Sequence, residues 1–208
     1  MGLLRLAVVA LATLFCAGVG AQSYQEGEQY ERLEPPRPVA RSDKVEVLEF
    51  FYYGCPVCYE AEPQVIRWLS KAGSGVHFVR VPAVPKESWA GFARTYYALE
   101  TIGELARLNW PLYDNVHFDG RRLDEEPDLL KWLSTNGVDA QRFREIRDSA
   151  AVTAKVDAAK VLLKDYAIKA VPTFVVGGRY VTSARAAGGV AEMMKVVEFL
   201  VARVRSEK

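Results

Sequence analysis

The pattern of hydrophobic positions changes twice between residues 44 and 81. The segment KVEVLEFFYYG, residues 44–54, alternates and then becomes continuously apolar, which is typical of a central strand covered on both faces. The segment that follows, CPVCYEAEPQVIRWLSKA, carries apolar residues at helical spacing, and residues 76–81 again have the pattern of a strand. A strand, a crossover helix and a second strand predict a parallel strand pair.

Only helical patterns occupy the chain from residue 86 to residue 166. The predicted helices are Ser88–Glu100, Ile102–Val116, Pro127–Asn136, Asp139–Ser149 and Val152–Tyr166. The strand pattern then returns, since KAVPTFVVGGRYVTSA predicts two short strands joined by a two-residue turn at Gly177 and Gly178. The apolar stripe of VAEMMKVVEFLVARV predicts a terminal helix. This order of elements predicts an α/β fold interrupted by an all-helical insertion.

The N-terminal residues have the pattern of an export signal. A single basic residue, Arg5, precedes an apolar run that is shorter than the about 20 residues needed to span a membrane. Small residues close the run and fit a cleavage site, so we predict a cleaved signal peptide at residues 1–21. Cleavage would remove Cys16, and the mature chain would keep two of its three cysteines.

The mature chain divides by pattern into four segments. Residues 22–42 form a polar lead with a proline cluster, which we expect to have little regular structure. We assign residues 43–85 to the first part of an α/β domain, residues 86–159 to the helical insertion and residues 160–208 to the second part. Hydrophobic residues make up 50% of the chain and the formal net charge is +1, so the composition is globular and does not indicate a nucleic-acid partner.

The two remaining cysteines, Cys55 and Cys58, leave several kinds of chemistry open. Structural zinc usually needs four Cys or His ligands, and His77 in a predicted strand and His117 in a predicted loop are not spaced as a ligand pair. Covalent haem needs CxxCH, but residue 59 is tyrosine. A structural disulfide would close a very short loop with little gain in chain entropy. Zinc and a structural disulfide stay as alternatives to redox chemistry.

Redox chemistry agrees with the local physics of this pair. Cys55 lies at the predicted start of a helix, where backbone N–H groups stabilise an anion and lower the pKa of a thiol. Cys58 lies one turn inside the helix, where it is shielded and can act as the resolving partner. In KAVPTFVV, Pro172 directly precedes a strand, which favours a cis bond after Val171, with a trans proline on an edge strand as the alternative.

These motifs together resemble the thioredoxin superfamily and, within it, the DsbA family of bacterial periplasmic thiol–disulfide oxidoreductases. The resemblance covers VLEFFYYGCPVCYEAEP, the helical insertion, AVPTFVVGGRY, the terminal helix and the lead YQEGEQYERLEPP. It implies a thioredoxin fold with an inserted all-helical domain. It also implies that Cys55 is the nucleophile, that Cys58 is the resolving cysteine and that Pro172 is a cis-proline facing them.

The resemblance implies a charged cluster beneath the two cysteines. Glu49, in the first predicted strand, matches the acidic residue of the family, and Glu62 and Arg80 match two further charges. A buried carboxyl at position 49 has a raised pKa and could exchange a proton with Cys58. The alternatives are a strand-edge carboxylate for Glu49 and solvated surface positions for the other two residues.

The dipeptide between the cysteines departs from the family pattern. It is Pro56-Val57, whereas the best-known oxidising members have Pro-His. Because valine cannot donate a hydrogen bond to the thiolate, the reduced form is less stabilised and the disulfide is expected to be a weaker oxidant. Val171 and Thr173 are the predicted substrate-binding residues, with backbone groups of Val171 pairing to an extended substrate. Aromatic residues 51–53 could line a groove with Val57 or belong to the core.

The predicted function is a periplasmic, monomeric thiol:disulfide interchange protein without metal or organic cofactor. It would donate the Cys55–Cys58 disulfide to newly exported proteins, and the resemblance implies reoxidation by a membrane protein of DsbB type. A disulfide reductase or isomerase on the same fold is the first alternative. The second is a binding or chaperone module whose disulfide is only structural.

Overall fold

The computed structural model describes residues 23–207, so the predicted signal peptide and Cys16 lie outside the described residues. The strands are β1 (Glu31–Arg32), β2 (Val45–Phe51), β3 (Val76–Pro82), β4 (Thr173–Val176) and β5 (Tyr180–Ser183). The helices are α1 (Pro56–Ala72), α2 (Ala90–Thr101), α3 (Leu105–His117), α4 (Glu126–Thr135), α5 (Ala140–Arg147), α6 (Ala150–Asp165), α7 (Ala184–Ala187) and α8 (Val190–Ser206), with one 3-10 turn at Glu87–Trp89. Within this described part of the chain, none of the helices combines the length and the hydropathy that crossing a membrane requires.

The five strands form one mixed sheet in the order β1-β5-β4-β2-β3. The predicted parallel pair is confirmed, since β2 and β3 are parallel, whereas β4 runs antiparallel to β2. Every residue of β2 is buried, as its continuous apolar pattern predicts. Val47 faces a core that α1 and α8 complete, and Leu48 and Phe50 face the opposite core against α6. The thioredoxin fold with a helical insertion is therefore confirmed.

The helical insertion contains α2 to α5 and most of α6, each shifted by a few residues from its predicted bounds. The proposed boundary at residue 159 falls inside α6. The prediction that His117 lies in a loop is wrong, because His117 is the last residue of α3. Contacts outside the helix hold it there, since its Nε2 lies 2.7 Å from the Tyr53 carbonyl oxygen and its ring stacks on Tyr59.

The expectation of little regular structure in the lead is wrong at β1, which pairs antiparallel with β5. Tyr30, next to β1, is 2% exposed and contacts the Tyr180 ring edge-to-face at 5.7 Å between centroids. The Thr182 hydroxyl donates to the Gln29 carbonyl at 2.7 Å. The composition of the lead alone suggests disorder. The lead is nevertheless ordered, because Tyr30 is buried and because β1 pairs with the otherwise open edge of β5.

The hairpin between β4 and β5 has three loop residues, not the predicted two, because Val176 pairs with Tyr180. Arg179 is the third loop residue, and its carbonyl accepts a hydrogen bond from the N–H of Leu33 of the lead at 2.7 Å. Gly177 and Gly178 have φ values of 61° and 63°, which glycine adopts without strain. A Cβ at position 178 would also lie 2.3 Å from the carbonyl oxygen of Arg37, so the lead packs directly on this turn.

Candidate active site at the start of the CxxC helix

The turn between β2 and α1 places the two cysteines at the edge of the sheet. Cys55 is the N-cap residue of α1 and Pro56 occupies the first helical turn, so the helix begins where the sequence predicts. The Cys55 N–H donates to the Tyr52 carbonyl at 3.0 Å and closes the turn. Both thiols are free, with Cys55 half-buried and Cys58 1% exposed. One sulfur therefore faces the surroundings and the other faces the core.

The two thiols have opposite acidities. A hydrogen bond from the Cys58 thiol, followed by the backbone N–H groups of Cys58 and Val57, lowers the pKa of Cys55 to about 6, against the opposing effect of partial burial. Burial, together with the hydrogen bond and the charge of Cys55, raises the pKa of Cys58 well above its usual value. Near neutral pH, Cys55 is therefore a thiolate, the reactive form of a cysteine, and Cys58 holds its proton.

We expect the reduced protein to gain thiolate absorbance at 240 nm with a midpoint near pH 6, because the lowered pKa belongs to Cys55. A free thiol titrates at about pH 8.5. A Cys55→Ser variant should lose the acidic step, and Cys58 should titrate only in the alkaline range because it is buried. A wild-type midpoint above pH 8 would contradict the assignment.

The loop before β4 faces Cys55. The Val171–Pro172 bond is cis, as predicted. When Cys55 is protonated, its thiol donates to the Val171 carbonyl oxygen at 3.5 Å, so the backbone at position 171 lies directly against the Cys55 sulfur. Thr173 is 5% exposed, and its hydroxyl donates to the Ala170 carbonyl at 2.7 Å. This bond braces the loop, and a contact of Thr173 with substrate stays a prediction.

A buried charged cluster lies beneath the cysteines. Glu49 and Glu62 are each 1% exposed, so neither is a surface residue. Arg80 lies between them, with its Nε 3.1 Å from Glu49 Oε2 and an N–H donating to Glu62 Oε1 at 2.7 Å. The sequence analysis missed Asn109 of α3, which donates to Glu62 Oε1 at 2.8 Å and accepts from the Tyr53 hydroxyl at 2.7 Å.

Burial decides the protonation of the carboxyl groups. Burial, opposed by Arg80 and reinforced by the neighbouring Glu62, raises the pKa of Glu49 to about 8. Burial also raises the pKa of Glu62, against Arg80 and the Asn109 hydrogen bond. Glu49 therefore carries a proton through most of the neutral range and can release or accept one near physiological pH. Its charge also influences Cys58.

The surface around Cys55 is partly apolar. Val57 is 39% exposed, and half-buried Tyr52 stacks on Trp89 with ring centroids 3.7 Å apart. The predicted groove does not include Phe51 or Tyr53, because both are buried in the core. Both rings pack against the apolar residues of the insertion, where each contacts Tyr113 of α3.

α3 holds the first turn of α1 through Tyr59, the residue after Cys58. The Tyr59 ring stacks on Trp110 and on His117, at 5.3 and 4.9 Å between centroids, and its hydroxyl donates to Asp114 at 2.9 Å. Polar side chains recur every four positions on a face of α3 that is otherwise apolar: Asn109, Tyr113 and His117. The sequence analysis missed the first two and placed the third in a loop.

Residues 23–207 contain no group of three or more His, Cys, Asp or Glu side chains placed to hold a metal ion. His77 Nδ1 lies 3.5 Å from Glu46 Oε2 in the sheet, and His117 is held by the Tyr53 carbonyl. The zinc alternative for the CxxC pair therefore gains no support from the side chains around it.

Known proteins resemble this chain over nearly its full length. Residues 67–199 match the DSBA-like thioredoxin domain, a segment that begins after both cysteines. The thiol:disulfide interchange protein DsbA of Pseudomonas aeruginosa is 33% identical over 204 residues, which cover 98% of this chain and 97% of that protein. The protein of the same name from Burkholderia cepacia is 35% identical over 183 residues, which cover 88% of this chain and 86% of that one.

Solved structures agree with these sequence relatives. The crystal structure of Pseudomonas aeruginosa DsbA superposes with a TM-score of 0.83 at 33% identity, covering 88% of this chain and 96% of that one. The oxidoreductase DsbA from Xylella fastidiosa gives a TM-score of 0.80 at 27% identity, covering 88% of this chain and 98% of that one.

Proposed function

Because this chain belongs to the DsbA-like thioredoxin family of thiol:disulfide oxidoreductases, we propose that it donates its Cys55–Cys58 disulfide to newly exported proteins in the periplasm. One observation carries the proposal. The half-buried thiol of Cys55 has a pKa of about 6, whereas Cys58 is buried and its pKa is raised. A stabilised Cys55 thiolate favours the reduced enzyme, and an enzyme that prefers to be reduced is an oxidant of other thiols.

The reaction follows from the exposure of the two sulfurs. A substrate thiolate attacks Sγ of Cys55, the Cys55–Cys58 bond breaks, and its electron pair passes to Sγ of Cys58. A mixed disulfide joins Cys55 to the substrate. The second substrate thiolate then attacks the substrate sulfur of this bond, and Cys55 leaves as a thiolate. The substrate gains one disulfide and the enzyme gains two electrons.

Two features support binding of unfolded polypeptide beside Cys55. The Val171 carbonyl lies 3.5 Å from the Cys55 sulfur, so a substrate strand paired with the backbone of Val171 brings its own thiol to that sulfur. Exposed Val57 and the stacked Tyr52 and Trp89 provide apolar contacts. Such contacts suit the hydrophobic side chains that a folding protein still exposes.

Glu49 is the proposed proton carrier for Cys58. Cys58 must take up a proton after it leaves as a thiolate, because burial disfavours its charged form. Glu49 holds a proton up to about pH 8 and is buried in the cluster beneath the cysteines. A carboxyl group with a pKa close to the working pH transfers protons efficiently in both directions.

Catalytic turnover needs an oxidant that restores the disulfide. We assign this role to a membrane protein of DsbB type, and we propose that the enzyme works as a periplasmic monomer after removal of residues 1–21. The proposal predicts that the reduced enzyme is reoxidised by membranes that contain such a partner and that reoxidation requires Cys55.

The reduction potential of the Cys55–Cys58 pair tests the direction of electron flow. Equilibration of the mature protein in glutathione buffers should give a reduction potential near that of a strongly oxidising DsbA, which is about −120 mV. We expect the potential to be somewhat lower than this because position 57 is valine. A value near about −270 mV, the scale of thioredoxin, would overturn the oxidase and favour the reductase alternative. Val57 is the one observation that favours this alternative.

A Val57→His variant should be a stronger oxidant than the parent. An imidazole at this exposed position can donate a hydrogen bond to the Cys55 thiolate and stabilise the reduced form. We expect a change of about tenfold in the redox equilibrium constant, which is ~30 mV for this two-electron couple. Val57→Leu is the matched control, and equal potentials for both variants would show that the side chain at position 57 does not act through hydrogen bonding.

A further inference from the structure

The hydroxyl of Tyr113 is a buried polar group that the reaction described above does not use. Tyr113 has 0% exposure, and within the described part of the chain its hydroxyl has no hydrogen-bond partner. Buried polar groups without partners are uncommon in native proteins, and each one calls for an explanation. A donor without a partner in the resting state is available for a charge that appears only during the reaction.

The register between α1 and α3 places Tyr113 opposite Cys58. Asn109 of α3 bonds to Glu62 of α1 at 2.8 Å, and Asp114 bonds to Tyr59 at 2.9 Å, so the two helices run antiparallel at this contact. Tyr113 lies one turn after Asn109, and Cys58 lies one turn before Glu62. The register therefore brings Tyr113 and Cys58 to the same level of the two helices, and both side chains belong to the same buried cluster.

Neighbouring rings fix the orientation of the Tyr113 ring. It contacts Tyr53 edge-to-face at 4.7 Å and Phe51 at 6.2 Å between centroids. Burial, followed by the proximity of Cys58, raises the pKa of Tyr113 well above its usual value. The phenol therefore keeps its proton and acts as a hydrogen-bond donor, not as an acid.

We propose that the Tyr113 hydroxyl donates a hydrogen bond to the Cys58 thiolate while that sulfur is the leaving group of disulfide exchange. As the incoming thiolate bonds to Cys55, the electron pair of the broken S–S bond collects on Cys58 Sγ. The Tyr113 O–H stabilises this charge and retains its proton. Cys58 is then protonated by the route proposed through Glu49. In the reverse direction the same bond supports Cys58 as it attacks the mixed disulfide.

A buried donor is needed here because Cys58 is shielded from water. Cys58 is 1% exposed, so solvent cannot supply the hydrogen bonds that stabilise a thiolate in solution. Glu49 adds an unfavourable negative charge to Cys58 when it is ionised. A fixed O–H dipole in this poorly solvated site lowers the barrier without a change in the overall redox balance.

The test is a Tyr113→Phe variant, which removes only the hydroxyl. Stopped-flow reduction of the Cys55–Cys58 disulfide by dithiothreitol should slow about tenfold or more, since a hydrogen bond to a charged group is lost. The reduction potential should stay unchanged, because Cys58 is a neutral thiol in the reduced enzyme at neutral pH. The melting temperature should not fall, because the hydroxyl has no partner to lose among the described residues.

Tyr96→Phe is the matched control, since Tyr96 belongs to the same core cluster but lies on α2 and packs on Phe51. Equal reduction rates for wild type and Tyr113→Phe would overturn the proposal. A parallel loss of rate and of melting temperature in both variants would also overturn it, because that result indicates a packing role.

This inference rests on disulfide exchange at Cys55–Cys58, which the proposed function requires, but its readout is separate. Reduction by dithiothreitol measures the exchange step whether or not the enzyme oxidises proteins. If the reduction potential is low and Tyr113→Phe is slow, the oxidase function would be overturned and the role of the Tyr113 hydroxyl would be supported. If the potential is high and Tyr113→Phe reacts at the wild-type rate, the oxidase function would be supported and the role of Tyr113 would be overturned.

Discussion

Replacing Cys55 with serine is expected to reduce the oxidation of substrate dithiols to the uncatalysed rate. The reason is that serine cannot form the disulfide that the enzyme donates, and its hydroxyl has no thiolate form at neutral pH. Cys58 cannot substitute, because it is 1% exposed and its pKa is raised by burial. The measurement is the rate at which a reduced, unfolded protein with two thiols gains its disulfide, with glutathione disulfide as the terminal oxidant.

Cys58→Ser is the informative companion. It keeps the accessible thiol, so Cys55 should attack the disulfide of an oxidised substrate, release one substrate thiolate and form a mixed disulfide. This mixed disulfide should persist on a non-reducing gel, because Cys58, which would attack Sγ of Cys55 and release the substrate, is missing. Retention of full oxidase activity by Cys55→Ser would contradict the assigned nucleophile. If both variants lack activity and Cys58→Ser forms no mixed disulfide, while affinity for unfolded chains is unchanged, the binding-module alternative would be favoured.

Replacing Arg80 with methionine is expected to lower the free energy of unfolding by about 3–5 kcal/mol near neutral pH. Arg80 is the counter-ion of both buried carboxyl groups, 3.1 Å from Glu49 and 2.7 Å from Glu62. Without it, either a buried carboxylate stays unpaired or the protein takes up a proton, and both outcomes disfavour the folded state. Urea unfolding of the wild type and the variant measures this difference.

The pH dependence of this loss has a definite sign. Because burial raises the pKa of Glu49 to about 8, its contribution to stability is fully present at acid pH and is lost as the pH rises through 8. The Arg80→Met loss should therefore be smallest at acid pH, where both carboxyl groups are neutral, and should grow toward pH 8. A loss that does not change with pH would contradict this view of the cluster.

A triple variant separates the cluster from general packing. Glu49→Leu and Glu62→Leu combined with Arg80→Met remove all three buried charges, and the combination should recover most of the stability that the single change loses. Failure of the triple variant to recover stability would indicate that Arg80 acts through its aliphatic stem and its contact with the Phe78 ring, 5.0 Å from the guanidinium.

Local periodicity explains what the sequence could predict. The hydrophobic pattern within each segment is enough to identify β2, α1 and β3. Their positions and the parallel pairing therefore follow without knowledge of distant contacts. The same holds for Cys55, because a helix start directly after a buried strand is a local feature. The local pattern also indicated Pro172, and the resemblance to a family then supplied Glu49 and the placement of Pro172 opposite the cysteines.

The parts that could not be predicted depend on how segments dock. Asn109 and Tyr113 enter the site only because α3 runs antiparallel to α1 in one particular register, which periodicity does not specify. The pairing of β1 with β5 depends on a buried tyrosine, Tyr30, in a segment of mostly polar composition. The third loop residue of the hairpin, Arg179, also contacts this segment, since its carbonyl accepts a hydrogen bond from Leu33.

The two edge strands of the sheet have features that oppose aggregation. One edge strand is β1, which has two residues, and the other is β3, which carries His77 and Arg80 and ends at Pro82. Short length, charge and proline each discourage another chain from extending a sheet. A protein that handles unfolded chains, as proposed for this one, meets such extension more often than most. We therefore expect these two edges to keep the protein dispersed at high concentrations of unfolded substrate.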